Sequence, residues 1–255
     1  MPQPVPKIRL HLDAPLAEGA ELALAREQAH YLGTVMRQAA GARVLVFNGR
    51  DGEWLAELTE AGRRGGRLRA LEQTRAPAEP PDLWLLFAPV KKARTDFIVE
   101  KATELGCRRI QPVFTRRTNA ERVRPDRLQA HAVEAAEQCG LVFVPEIAEP
   151  VALARLLERW DPARRILFCD ERAAGFGGAA AALPAAARAL GAAAEGAGPW
   201  AVLTGPEGGF APEEAERLAA MPEAVAVGLG PRVLRADTAA VAALVLWQSV
   251  LGDWR

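Results

Sequence analysis

Three cysteines in 255 residues, at positions 107, 139 and 169, are odd in number and too far apart to build a disulfide framework. They form no Cys-x-x-Cys pair, and the three histidines (His11, His30, His131) do not cluster with them. A zinc site is therefore not expected, and no metal is assigned. No apolar run reaches the roughly 20 residues that span a bilayer. The stretch M-P-Q-P-V-P-K-I-R-L also lacks the apolar core of a secretory signal. The expected location is a reducing cytoplasm, with no membrane contact. Common signatures of chemistry are missing too. There is no G-x-x-x-x-G-K-[ST], no G-x-G-x-x-G after a first strand, and no G-x-S-x-G elbow to anchor a hydrolase triad. No repeat of solenoid or propeller period occurs.

The residues that are present form a soluble globular composition, 50% hydrophobic and 25% charged, with length for one large domain or two modest ones. A net charge of zero hides an asymmetry: residues 1–128 hold 22 Lys+Arg against 16 Asp+Glu, and residues 129–255 hold 10 against 16. A basic half in a neutral protein fits a polyanionic partner met by one face. Scattered surface arginine is the alternative, since arginine outnumbers lysine 28 to 4.

Along the chain, residues 8–12 alternate as a half-buried strand. Residues 25–38 have helical spacing, with Tyr31, Leu32, Val35 and Met36 on one face. Two strands then meet at a hairpin over Asn48–Gly52, where Asn-Gly and Asp-Gly supply the turn. After the turn Gly62–Gly65, another strand runs from Gly66 to Gln73. Short strands with one helix in this span predict a compact β-barrel-like module over residues 1–74. The proline-rich segment 75–82 reads as a boundary. Beyond it, strands at 83–88, 109–114 and 165–169 alternate with helices at 95–105, 125–138, 151–160 and 238–251. In the first helix Phe97, Ile98 and Ala102 are expected to face a core. Continuous apolar strands between helices predict an α/β domain with a mainly parallel sheet over residues 83–255. Gly175, Gly177, Gly178 and the Ala-rich run 179–194 read as a surface helix with a Gly-containing end.

The chain is organised around residues 200–240. Two apolar strands, W-A-V-L-T and V-A-V, each break into a glycine-rich turn (G-P-E-G-G-F and G-L-G-P-R) and then into helical sequence. Glycines let a backbone turn sharply and approach a ligand where a Cβ would collide. Two such turns suggest one small-molecule site lined by main-chain groups; two ordinary strand-to-helix turns are the alternative.

L-T-G-P-E-G-G-F followed by L-G-P-R-V-L-R-A-D-T-A closely resembles the paired C-terminal motifs of the RsmE-type ribosomal RNA methyltransferases, of the SPOUT (trefoil-knotted) class. The resemblance extends to K-K-A-R-T-D-F-I-V-E-K-A-T-E-L-G-C-R-R-I-Q-P-V-F-T-R-R-T (91–118), V-E-A-A-E-Q-C-G (133–140) and H-Y-L-G-T-V-M-R (30–37). It covers nearly the whole chain, in family order. One departure is Ala236-Asp237, where the family more often has Thr-Glu; Asp keeps the carboxylate with a shorter reach.

The resemblance implies a deep trefoil-knotted α/β domain behind an N-terminal PUA-like β-barrel, a homodimer, and bound S-adenosylmethionine (SAM). It implies methylation of uridine N3 in small-subunit ribosomal RNA, with naked RNA or the assembled subunit as partner. A SPOUT enzyme with another RNA target and a non-catalytic ribosome-assembly protein are the alternatives. On this reading Leu203, Thr204, Gly205, Pro206, Glu207, Gly209, Leu229, Gly230, Val233, Leu234, Thr238 and Ala239 bind SAM.

Uracil N3 carries a proton and is a poor nucleophile until that proton leaves. The reaction therefore needs a proton acceptor and donors for the charge growing on O2 and O4. Arg232 and Arg235 are the donors available, and Glu207 or Asp237 the acceptor. Arg235 could instead pair with Asp237, and Glu207 could bridge to a helix N-terminus. Arg37, Lys91, Lys92, Arg94, Arg116 and Arg117 are assigned to RNA phosphates, with Arg122 and Arg124 as further candidates. Arg63, Arg64, Arg67 and Arg69 form a solvated face unless the barrel binds RNA. His30 and Tyr31 either stack on a base or, for Tyr31, pack in the core. Phe210 is expected to anchor its loop, and Trp247 to lie in the core or a dimer interface.

Overall fold

The computed structural model describes residues 6–62, 65–120, 122–170, 188, 191 and 198–254. The readings on Arg63, Arg64, the glycines at 175–178 and the Ala-rich run, apart from its residues 188 and 191, fall outside the described residues. The chain divides into two compact units, one of residues 1–79 with 136–144, the other of residues 80–135 with 145–255.

The first unit is a five-stranded sheet. Its strands are β1 (Arg9–His11), β2 (Glu21–Leu24), β3 (Arg43–Phe47), β4 (Glu53–Ala61) and β5 (Gly66–Arg75), in the order β1–β3–β4–β5–β2. Only β1 and β3 run parallel; the other pairs are antiparallel. Three register shifts between β4 and β5 bend the longest ladder, as bulges do. Alternation buries Leu10, Leu22, Val44, Val46, Leu58 and Leu68 in one core. The hairpin turn is built by side chains. Asn48 Oδ1 accepts the N–H groups of Arg50 and Asp51, and Asp51 Oδ2 accepts from Asn48 Nδ2 and Leu16 N. These bonds hold the Asp51 carboxyl below its ordinary pKa, the Leu16 N–H contributing most. Gly52 sits at φ +76°, and a Cβ there would strike the Arg75 carbonyl, so no other residue fits.

The helix expected at 25–38 is shorter and partly of another kind. α1 (Arg26–His30) passes directly into a π-helical turn over Tyr31–Val35. Hydrogen bonds now skip five residues instead of four, as in Met36 N to Tyr31 O at 2.8 Å. The wider turn keeps Leu32 in the core but rotates Val35 and Met36 out to 59% and 36% exposure. Arg37 then takes a positive φ of 53°, the single non-glycine to do so among the described residues.

Arg9 organises the rest of this unit. Its Nε donates to Glu53 Oε2 at 2.8 Å, and its two Nη groups donate to the carbonyls of Ala136, Glu137 and Leu141. Its guanidinium also lies 4.7 Å over the Phe47 ring. One largely buried cation thereby binds carbonyls in the last turn of α3 (Pro125–Cys139) and just beyond it.

The second unit is a parallel α/β sheet. Its strands are β6 (Leu83–Phe87), β7 (Arg109–Phe114), β8 (Glu146–Ile147), β9 (Val151–Ala152), β10 (Arg165–Cys169), β11 (Trp200–Thr204) and β12 (Ala224–Val227). The order is β12–β10–β11–β6–β7–β8, with β9 also on β7, and every pairing is parallel. The helices are α2 (Lys92–Glu104), α3, α4 (Leu153–Glu158), α5 (Pro212–Ala219) and α6 (Ala236–Val250). α6 packs on α2 and β11, and α5 on β12.

Leu86, Val113, Ile166, Phe168, Ala201, Leu203 and Leu218 share one core. The buried face of α2 is Thr95, Ile98, Val99, Ala102 and Thr103. That stripe leaves Phe97 outside, 40% exposed, contrary to the expectation of a core position; Lys101 covers its ring at 5.4 Å. Trp247 lies in the core at 3% exposure. The expected helix at 151–160 is shorter, because Val151 and Ala152 pair with β7 before α4 begins.

Candidate active site

Parallel strands present their C-terminal ends, and the loops leaving them, on one edge of the sheet. The ends of β10, β11 and β12 are adjacent there, with Cys169 in register with Val227 and Phe168 with Leu203. The two glycine turns leave this edge and enclose a cavity of about 360 Å³. Gly205, Pro206, Glu207 and Gly209 form one wall, and Leu229, Gly230, Val233, Leu234 and Ala239 the other; Arg232 also lines it.

Local sequence explains the shape. Gly209 has φ +67° and Gly230 φ +137°, both backbone regions that L side chains rarely adopt. Ala211 starts α5 with Pro212 in its first turn, and Glu214 Oε2 accepts the Ala211 N–H to close the start of the helix. Phe210 anchors the first loop from below, buried edge-on against Phe168 with ring centroids 6.4 Å apart.

Three of the expected cofactor residues do not line the cavity. The side chains of Leu203 and Thr204 are buried at 0% and 1% exposure, because β11 lies inside the sheet between β10 and β6 with every one of its residues buried. They support the loop from beneath. Thr238 is exposed on the first turn of α6. Residues that the motifs did not single out take part: Cys169 and Asp170 at the end of β10, and Val227; Phe210, expected only as an anchor, also lines the cavity. The signal for the first two was available, because a third parallel strand between the two glycine-turn strands must end at the same edge. Crowding by protein pushes the Cys169 thiol up to about 12, so it stays protonated and is no nucleophile at neutral pH.

The charged groups divide sharply. Arg94, expected on phosphate, instead donates Nη1 to Glu207 Oε1 at 2.6 Å, and its Nε lies 3.9 Å from Asp237 Oδ2. One guanidinium thus bridges both glycine turns. Arg117 Nη1 donates to the Gly208 carbonyl at 2.8 Å, and the Arg116 N–H to Glu214 Oε1 at 2.8 Å, leaving the Arg116 side chain exposed. Asp237 accepts the Thr238 N–H rather than pairing with Arg235. Arg232 and Arg235 are exposed and have no ion pair or hydrogen bond among the described residues; Arg235 stands at the start of α6, beside the cavity lining rather than in it.

A second cavity, of about 500 Å³, shares Arg117, Pro206 and Glu207 with the first and is walled by residues 89–92, 95–96, 119–120, 122–124 and 127–128. Lys91 and Lys92 line it. Arg37 belongs to the other unit.

Among the described residues no group of three or more His, Cys, Asp or Glu side chains comes together, and no helix is long and apolar enough to cross a membrane.

Residues 77–248 match the RNA methyltransferase domain family, and residues 24–71 the RNA methyltransferase PUA domain. The ribosomal RNA small subunit methyltransferase E of Rickettsia conorii is 28% identical over 92% of this chain and 93% of its own. The protein of the same name from Mycobacterium tuberculosis is 31% identical over 89% of this chain and 85% of its own. A crystal structure of the Neisseria gonorrhoeae protein of that name, bound to S-adenosyl methionine, superposes with a TM-score of 0.83 at 25% identity, covering 97% of this chain and 99% of that one. By the domain match over two thirds of its length and the relatives that align along nearly all of it, the chain belongs to the small-subunit ribosomal RNA methyltransferase E family.

Proposed function

We propose that this protein uses SAM to methylate N3 of one uridine in small-subunit ribosomal RNA. The observation that carries the reading is the cavity formed by the two glycine turns at the ends of β10, β11 and β12. Its donor set suits SAM. Gly205, Gly209 and Gly230 expose main chain, Leu229, Val233, Leu234 and Phe210 supply apolar wall, and the carboxylates of Glu207 and Asp170 answer a sulfonium charge. SAM supplies an electrophilic methyl group when bound.

The protein's own residues supply the rest. Arg232 and Arg235 stabilise negative charge on the uracil oxygens, a role supported by their side chains having no partner among the described residues. Glu207 or Asp237 takes the N3 proton. The bridge from Arg94 keeps both carboxylates beside the cavity and joins the two turns that form its walls. Exposed cations at Lys91, Lys92, Arg116 and Arg117, and Arg37 on the other unit, address RNA phosphates.

The trefoil knot implied for the C-terminal segment is supported by the strand order. β11 lies between the earlier β6 and β10, and α6 follows the edge strand β12 yet packs on α2 and β11. A cytoplasmic homodimer completes the reading. It is supported by apolar side chains at the surface: Val233 on the second turn, Val245 on α6 and Trp254 beyond it, 76%, 36% and 54% exposed. Light scattering of the purified protein measures the dimer. Mass spectrometry of ribosomal RNA from a deletion strain tests the activity. One lost N3-methyluridine is expected, and an unchanged set of modifications refutes the assignment.

A further inference from the structure

The second cavity has a charge pattern that the cofactor does not explain. Of the cations around it, Arg127 is tied to Asp96 at 2.5 Å and Arg124 to Asp126 at 2.6 Å. Lys91, Lys92 and Arg122 line the same space with no ion pair or hydrogen bond among the described residues. The first turn of α2, which opens here, carries no carboxylate and no capping side chain to answer its exposed N–H groups. Val90, Val123 and Pro206 supply apolar wall. The volume of about 500 Å³ suits a small-molecule site rather than a shallow charged face. It shares Pro206, Glu207 and Arg117 as lining with the cofactor cavity.

We infer that this cavity seats one nucleotide of the RNA strand, its phosphate held by Lys91, Lys92 and Arg122 and its base turned toward the Pro206–Glu207 wall. The inference rests on the methyltransferase reading above. It adds that the cations act as one clamp on one phosphate, not as separate contacts along a backbone. Arg94 is excluded from that clamp because Glu207 already holds it. The shared wall places the reacting base beside the methyl donor's cavity, which a diffuse basic surface would not do.

Salt dependence separates the two arrangements. Each phosphate contact on a single strand contributes about 0.7 to the slope of log affinity against log salt. Binding of a labelled oligouridylate by the full-length protein is measured by fluorescence anisotropy with saturating S-adenosylhomocysteine. The triple variant Lys91→Ala, Lys92→Ala, Arg122→Ala is expected to lower the slope by about 0.7 in all. A loss near three times that value, or none, overturns the single clamp. All three side chains are exposed, so folding is not at stake. A second comparison uses an abasic strand of equal length. The wild-type protein is expected to bind the uracil-bearing strand more tightly, and equal binding overturns the seat. Calorimetry with SAM runs in parallel. Failure of the wild type to bind SAM would remove the methyltransferase reading, whereas the slope and the abasic strand judge the seat alone.

Discussion

Gly230→Ala is the sharpest test of the cavity, because it perturbs backbone without perturbing space. Gly230 sits at φ +137°, and a Cβ built there meets nothing within 4 Å. The substitution therefore introduces no clash. It asks a residue with a Cβ to hold a conformation that glycine occupies almost alone, at a cost of about 1–3 kcal/mol. That cost has two places to appear. If the turn keeps its shape, the folded state is destabilised, and a protein of this size loses about 2–4 °C of Tm per kcal/mol. If the turn relaxes, one wall of the cavity moves and the cost appears when ligand binding restores it. At 1.4 kcal/mol per tenfold, SAM then binds about 5- to 150-fold more weakly. Calorimetric titration and thermal melting measure the two shares, which are expected to sum to about 1–3 kcal/mol. A variant with both unchanged would refute the reasoning: the turn would not need its glycine, and the site would lie elsewhere.

Arg235→Ala is expected to slow single-turnover methyl transfer by about 100- to 1000-fold while SAM affinity holds. With no ion pair to lose among the described residues, its Tm should also hold, and a near-normal rate would turn the search to Arg232 or Glu207. Arg116→Ala should weaken RNA binding alone, whereas Arg117→Ala should also weaken SAM binding about 2- to 10-fold by releasing the Gly208 carbonyl; parallel titrations of both ligands would expose identical behaviour. Arg37→Gly relieves the positive φ and should raise stability by about 0.5–1 kcal/mol while weakening RNA binding, read from melting and anisotropy. Burial holds the His11 imidazole below its ordinary pKa of 6.5, with Asp13 opposing and Arg50 assisting. The fold therefore favours neutral His11, and its contribution to stability is complete above the ordinary value and lost as pH falls from there through the lower value of the folded state. His11→Gln should flatten the decline in Tm between about pH 7 and pH 5.

Much of the architecture was legible because it depends on local pattern. Arg109–Phe114 and Arg165–Cys169 are apolar runs bounded by polar residues, and they are strands with those limits. The glycine turns announced themselves because few residues tolerate their backbone. Several features were hidden for physical reasons. Nothing in H-Y-L-G-T-V reports that the helix widens to a π-turn, yet that widening decides where Val35 and Met36 point. Leu203 and Thr204 belong to the cofactor motif but face the core, since a motif records neighbourhood and not side-chain direction. Arg94 resembled a phosphate contact because its partners lie 113 and 143 positions away. Only the fold brings Glu207 and Asp237 to it.

The Arg9 anchor bears on how the chain matures as it is synthesised. The last strand of the N-terminal sheet ends at Arg75, but the carbonyls that Arg9 needs belong to Ala136, Glu137 and Leu141. At about 5–20 residues per second, those groups emerge roughly 3–13 s after the sheet is complete. During that interval the sheet holds a guanidinium matched to Glu53 but short of three acceptors. The N-terminal unit therefore cannot reach its final form until residues 136–144, which belong to it, have emerged. It waits on a segment encoded inside the methyltransferase domain, so a truncation at residue 79 would leave it permanently at that earlier stage.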